Sequence, residues 1–189
     1  MIASGAKRDK HFPLFAHDNP LRRLLNSPRK YCPYVKQDHI VADLGCGPGY
    51  YALALAESVG AKGRVYAVDS DKKTIRAVER KATKRRYHNI EAHASSAANL
   101  RFIEDESVDF VLVDGLLCSM APQDHQSAVN EIKRILKPNG KAFLKAAKGS
   151  MSYVDKAEWE EILEGFKVER RNYESFLEDR WALVSKEHQ

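Results

Sequence analysis

From Asp38 onward, short apolar runs alternate with longer stretches of helical periodicity. Ile40–Leu44 reads as a first strand and Tyr51–Val59 as a helix closed by Gly60. Arg64–Asp69 predicts a second strand. Asp71 then caps a helix to about Arg86, in which Ile75, Ala77, Val78 and Ala82 recur at helical spacing. Ile90–Ala94 and Val108–Val113 are the third and fourth strands, the latter an apolar run of the kind buried on both faces. Asp124 is the expected cap of a helix to Leu136, with Val129, Ile132, Ile135 and Leu136 on one face. Lys137–Pro138–Asn139–Gly140 reads as a turn into a fifth strand, Lys141–Ala147. Asp155, with Glu158 three residues later, is a capping box for a final helix that Gly165 ends. Lys167–Tyr173 and Arg180–Ser185 follow as two strands joined by a short loop.

Alternating β and α units predict an α/β fold, a doubly wound parallel sheet with helices on both faces. The two closing strands, with no full helix between them, add an antiparallel hairpin at one edge. The first forty residues differ. Asn19–Pro20 and Ser27–Pro28 each place a capping side chain before a proline suited to a first helical turn, and Phe12–Phe15 precede them as an apolar patch. This segment either packs on the core or covers the substrate side of a pocket. The expected division is 1–37 as an N-terminal helical cap segment and 38–189 as the body of a single domain.

At 189 residues, with 43% hydrophobic and 30% charged positions, the chain has enough apolar content for one folded core. No apolar run approaches membrane-span length, and Met1–Lys10 is polar and basic without a signal-peptide core. Cys32, Cys46 and Cys118 are scattered, so neither a disulfide framework nor a cysteine metal site is expected, and the cytoplasm is the default location. A net charge of +5 raises nucleic acid as a partner. Much of that excess lies in Lys72–Arg86, which has no interleaved aromatic residues for stacking; Tyr87 and His88 are partial exceptions. Those charges read as the solvent face of an amphipathic helix.

The chemistry concentrates in Val41–Ala42–Asp43–Leu44–Gly45–Cys46–Gly47–Pro48–Gly49–Tyr50. A strand runs into a glycine-rich turn that opens a helix, so a ligand can lie against bare backbone near free N–H groups. Asp69 ends the next strand, where a carboxylate can accept hydrogen bonds from ribose hydroxyls. A nucleoside ligand is implied. A dinucleotide site has the spacing G-x-G-x-x-G, but here Tyr50 stands at the third glycine position. Asp43 would repel a pyrophosphate and suits a cationic amine or sulfonium. The pattern favours S-adenosylmethionine.

Val41–Tyr50 resembles motif I of the class I S-adenosylmethionine-dependent methyltransferases, close to their D-x-G-C-G-x-G form. The resemblance runs from about Asp38 to Lys186, and the Ile135–Gly140 turn (ILKPNG) is similar to the type that includes quinone-biosynthesis enzymes. It implies a Rossmann-like, seven-stranded sheet ordered 3-2-1-4-5-7-6, last strand antiparallel, in three α/β/α layers. By the same resemblance Gly45, Cys46, Gly47 and Gly49 approach the methionine portion of the cofactor. Asp43 anchors its amine, directly or by orienting the turn. Asp69, with Ser70 beside it, takes the ribose hydroxyls, and Cys46 serves as a small turn residue. Family members often carry Asp-Ala four residues before a leucine to read adenine; aligning on Leu100 puts Ser96 and Ala97 there. Asp114 either faces the crevice near the transferred methyl or forms an Asp-Gly turn with Gly115.

The implied function is methyl transfer from S-adenosylmethionine to a small or medium-sized acceptor. An RNA or protein acceptor and a non-catalytic S-adenosylmethionine-binding module are the alternatives. Candidates for a general base are Asp114, Cys118, His125, Lys148 and Tyr153, and no spacing among them selects one. His125 is expected at an exposed position in the first turn of its helix. Metalloid and DNA acceptors are disfavoured. Only Cys32 and Cys118 lie outside the turn, and Val113–Met120 lacks an Asn/Asp-Pro-Pro-aromatic run.

Overall fold

Because side chains alternate along a strand, the apolar runs deliver one hydrophobic set to each face of a sheet. The computed structural model describes Asp9, residues 27–147, Ser152, residues 154–172 and residues 179–186. Its strands are β1 (Ile40–Leu44), β2 (Arg64–Asp69), β3 (Ile90–Ala94), β4 (Val108–Asp114), β5 (Leu136–Ala146), β6 (Phe166–Arg171) and β7 (Arg180–Lys186). They form a single sheet ordered β3-β2-β1-β4-β5-β7-β6. The pairs among β1 to β5 are parallel, and β7 runs antiparallel to both β5 and β6. The expected strand order and its reversed last strand are both present.

Among the described residues four α-helices cover the two faces: α1 (Ala52–Val59), α2 (Lys72–Arg85), α3 (His125–Ile135) and α4 (Lys156–Leu163). Ala42, Leu44, Val111 and Val113 pack against Val129 and Ile132 of α3 and Trp159 and Ile162 of α4. On the other face Val41, Phe110, Leu112 and Phe143 meet Leu55 and Val59 of α1, Ile75 and Val78 of α2, and Tyr31. Asn89 closes the first crossover by donating from its side-chain amide to the carbonyls of Ala56 and Gly60 at the end of α1. The outer strand β6 is exposed along all but Phe166, and its charged residues and bulge between Val168 and Arg170 blunt it against edge-to-edge pairing.

Several local expectations are corrected. Residues 137–140 are no turn before a strand. Leu136 already pairs with Val108, pairing resumes at Phe110 with Lys141, and the four residues between are absorbed as a bulge within β5. Asp124 makes no side-chain cap; a 3-10 turn at Pro122–Asp124 leads into α3 instead. The capping box at α4 is half formed. Asp155 accepts from the Glu158 N–H, but the Glu158 carboxylate goes to His125. Ser27–Pro28 starts a turn followed by a 3-10 helix at Cys32–Tyr34, with no α-helix there. The signals at Asn19–Pro20 and Phe12–Phe15 lie outside the described residues, as does Tyr173.

The long connection from β3 to β4 is pinned by Arg134 of α3. Its guanidinium donates to the carbonyls of Leu100 and Ile103 at 2.9 Å each and to the carboxylates of Glu131 and Asp105. Glu131 also accepts from the Leu100 N–H. Arg134 holds the Glu131 carboxyl below its usual range, helped by that N–H. A depressed carboxylate contributes stability that is complete above its unfolded value near 4.5 and is lost as pH falls through the folded value. Arg134→Met removes this hub and is expected to lower unfolding stability by about 2 kcal/mol at neutral pH, read from the urea midpoint. The difference from the parent chain should shrink as the pH drops below 4.5.

Candidate active site

The strand order reverses between β1 and β4, so the ligand crevice of this architecture opens at their carboxyl ends. The turn leaving β1 carries Gly45, Gly47 and Gly49 at φ +74, +52 and +84, conformations that penalise any side chain. Space is also short. A Cβ on Gly45 would sit 2.8 Å from Leu116 Cβ, and one on Gly49 would sit 3.3 Å from Val78 Cγ2. The turn hangs from β2: the N–H groups of Gly45 and Cys46 donate to the Val68 carbonyl at 2.8 and 3.0 Å. Asp69 completes the attachment. One carboxylate oxygen accepts from Gly47 N–H at 3.0 Å and the other from Asp71 N–H at 2.9 Å.

Asp43 is buried in β1, in register with Ala67 and Leu112, on the sheet face that carries Tyr31 and Tyr51. The Cys46 thiol donates to the Gly47 carbonyl; burial pushes it well up, and the charges of Asp43 and Asp69 push it further. It therefore stays a neutral thiol, as expected of a small turn residue. Asp43 and Asp69 thus act on one thiol, while Asp43 and Asp114 both act on Tyr31. The carboxyl ends of β1, β2 and β4 converge as the sequence implies.

Ser70 is exposed beside Asp69. The Ser96 hydroxyl accepts from Ala98 N–H at 3.2 Å, and its carbonyl accepts from Asn99 N–H, so Ser96 shapes its own turn. The Ala97 side chain lies in the core with Leu44, Val68 and Leu100. Asp114, at the end of β4, is engaged from two sides. It accepts from the Tyr31 hydroxyl at 2.8 Å and pairs with the Lys145 ammonium at 3.4 Å, which also reaches Asp179 at 3.0 Å. Burial alone would lower Lys145, but Asp114 and Asp179 outweigh it and hold the ammonium above its usual value.

Sequence reasoning missed Tyr31. Its ring is buried between Tyr51, centroid 5.0 Å away, and Phe143 at 4.8 Å, and burial with the adjacent Asp114 charge drives the phenol far up. It remains a hydrogen-bond donor. Asp9 provides a second tether from the N-terminal segment by accepting from Ala121 N–H at 2.7 Å. The available signal for this network was Lys145, a cation interrupting the apolar run Ala142–Ala146.

His125 is also corrected: it is 2% exposed rather than a surface residue. One ring nitrogen faces the carbonyls of Leu117 and Met120 at 2.9 and 3.2 Å, and the other faces Glu158. The ring clamps the loop after β4 onto α4 and is unavailable as a base. Cys118 donates to the Gly115 carbonyl at 2.9 Å, and burial raises its thiol too. Lys148 and Tyr153 lie outside the described residues. No group of three or more His, Cys, Asp or Glu side chains suited to a metal occurs among the described residues.

The residues present fit S-adenosylmethionine. A carboxylate offers about four acceptor sites, and Asp69 accepts one bond on each oxygen, from Gly47 in the turn and from Asp71 before α2, leaving capacity for the ribose hydroxyls. The buried Asp43 and the absence of side chains at the three glycines suit a cationic group lying on the turn.

Tyr31→Phe deletes the hydroxyl but keeps the ring packing, and is expected to cost about 1–2 kcal/mol in urea unfolding. Tyr31→Ala also empties the slot between Tyr51 and Phe143 and should cost about 3–5 kcal/mol by the same measurement.

Comparison with known proteins agrees with this geometry. The profile of a methyltransferase domain matches residues 41–140. The demethylmenaquinone methyltransferase of Geobacillus sp. (strain WCH70) is 33% identical over 99 residues, covering 52% of this chain and 41% of that one. Its counterpart from Geobacillus stearothermophilus is 34% identical over 98 residues, with 52% and 41% covered. The match thus spans about two fifths of the length of these curated relatives. A solved SAM-dependent methyltransferase from Aquifex aeolicus superposes with a TM-score of 0.72 at 25% identity, over 92% of this chain and 98% of that one. Turn, crevice and profile together place this chain in the methyltransferase-domain family, in its class I, S-adenosylmethionine-dependent form.

Proposed function

We propose that this chain transfers a methyl group from S-adenosylmethionine to a small-molecule acceptor of the quinone type. The observation that carries the transfer is the positive-φ glycine turn fixed by Asp69 at the carboxyl edge of the sheet. The relatives' name, demethylmenaquinone methyltransferase, supports the acceptor class. When bound, the cofactor supplies a methyl already activated on a sulfonium, so the protein's task is alignment and exclusion of water.

In this reading Gly45, Gly47 and Gly49 let the ligand lie against backbone, Asp69 takes the ribose hydroxyls, and Asp43 balances the cationic end. A ring carbon beside an ionised hydroxyl is nucleophilic enough to need no strong base. That agrees with the engaged state of the base candidates: Asp114 is held by Tyr31 and Lys145, and His125 by two carbonyls and Glu158. Tyr31 and Asp9 fix both ends of an N-terminal segment to the region after β4, which supports a cap on the acceptor side. Among the described residues no helix is long and apolar enough to cross a membrane. A cytoplasmic location is part of the proposal and rests on the scattered cysteines.

Calorimetric titration with S-adenosylhomocysteine, and separately with NAD, tests the core of this reading. S-adenosylhomocysteine should bind and NAD should not; the reverse would overturn it. Asp69→Ala should weaken S-adenosylhomocysteine about tenfold or more, since it removes a charged acceptor and loosens the turn. Labelled methyl supplied on the cofactor should appear in hydroxylated quinone-type rings; label recovered only in RNA or protein would reject the acceptor class.

A further inference from the structure

A second concavity lies in the groove between α1 and α2 and reaches the outer side of the glycine turn at Gly49 and Tyr50. It has a volume of about 680 Å³, within the range of small-molecule sites. Four cations line it: Arg29 from the turn before the 3-10 helix, and Lys81, Lys84 and Arg85 from the last turns of α2. Lys81, Lys84 and Arg85 are three and four residues apart and so share one helix face. The single carboxylate in the lining is Glu57, and Arg29 pairs with it at 2.8 Å. Lys81 is half-buried, and its ammonium donates to the Pro48 carbonyl at 2.9 Å, which orients it beside the cofactor turn. Lys84 and Arg85 form no ion pair with any described residue. Tyr50 and Leu53 add an aromatic and an apolar wall.

Cations at a helix C-terminus complement its dipole, which accounts for the sign of Lys84 and Arg85. The dipole accounts neither for Arg29 facing them from a separate element nor for a cleft between them. Four like charges on one concave surface repel one another, and one carboxylate offsets only part of that. A multivalent anion would relieve the rest. We propose that the basic part of this cleft, around Arg29, Lys84 and Arg85, is a binding site for a phosphate-bearing ligand that adjoins the cofactor turn at Gly49. The phosphate is supplied either by a free phosphorylated small molecule or by the backbone of single-stranded RNA. Lys84 and Arg85 are its principal contacts, and the open groove admits a chain or a compact ester alike. The site does not depend on the acceptor assigned to the crevice.

The test compares two charge reversals on the same helix. Lys84→Glu with Arg85→Glu alters the cleft, while Lys72→Glu with Lys73→Glu alters the exposed start of α2, on the order of 18 Å away along the axis. The probes are inorganic pyrophosphate, followed by calorimetry, and a fluorescein-labelled single-stranded RNA of about ten nucleotides, followed by anisotropy. The cleft variant should lose at least about tenfold in affinity, and the control variant should stay within about twofold. S-adenosylhomocysteine affinity should be unchanged in both, which shows each variant folded and keeps this result separate from the fate of the methyl-transfer reading. RNA binding lost in the cleft variant identifies the backbone as the source; pyrophosphate binding without RNA binding identifies a free ester. Equal weakening in both variants, no weakening in the cleft variant, or no saturable binding of either probe overturns the proposal.

Discussion

The whole site depends on where one carboxylate ends its strand. Asp69 is the last residue of β2, and its two oxygens take N–H groups from opposite directions: Gly47 in the turn leaving β1, and Asp71 at the start of α2. A glycine-rich turn with three residues at positive φ is entropically costly to order. Here its order is imposed from the neighbouring strand, through Asp69 and through the Val68 carbonyl that receives Gly45 and Cys46. The same carboxylate keeps acceptor capacity toward the crevice. Preorganisation of the turn and recognition of the ligand therefore come from one group, so neither can be altered without the other.

Charge is sorted by location around that turn. Asp43, Asp69 and Asp114 gather at the carboxyl ends of β1, β2 and β4, where a sulfonium or amine is favoured and a pyrophosphate is not. The cations collect outside, along α2 and around the groove it forms with α1. The net charge of +5 describes neither place. Lys145 is the exception inside, and its two carboxylate partners explain why it is tolerated there.

The strand and helix pattern was legible because it rests on local periodicity and on caps within four residues, such as Asp71 with Lys73. The glycine turn and Asp69 were legible for a similar reason: a strand end followed by a required positive φ leaves few residue choices. What the sequence did not disclose are partnerships across long separations. Tyr31 finds Asp114 across 83 residues, and His125 finds Glu158 across 33. The second contradicts local expectation, which made His125 a surface residue; the first gives Asp114 partners that no local pattern names. The Lys137–Gly140 bulge failed in the opposite way. Its turn chemistry is real, but pairing of Leu136 with Val108 overrides it and folds the turn into a strand.

These long-range pairs gather at the end of β4 and the loop after it. The cofactor side is built from adjacent units, β1, its turn and β2, whose geometry follows from a short sequence pattern. The end of β4 is instead surrounded by Asp9, Tyr31, the loop after β4, Lys145 and Glu158, drawn from five separate stretches of chain. A motif can carry cofactor chemistry because its parts are contiguous. That region has no comparable motif, since each contributing side chain is positioned by a different element and can change independently of the rest. The profile that matches residues 41–140 has the same limit: it contains the cofactor turn and the loop after β4 but neither Tyr31 nor Glu158.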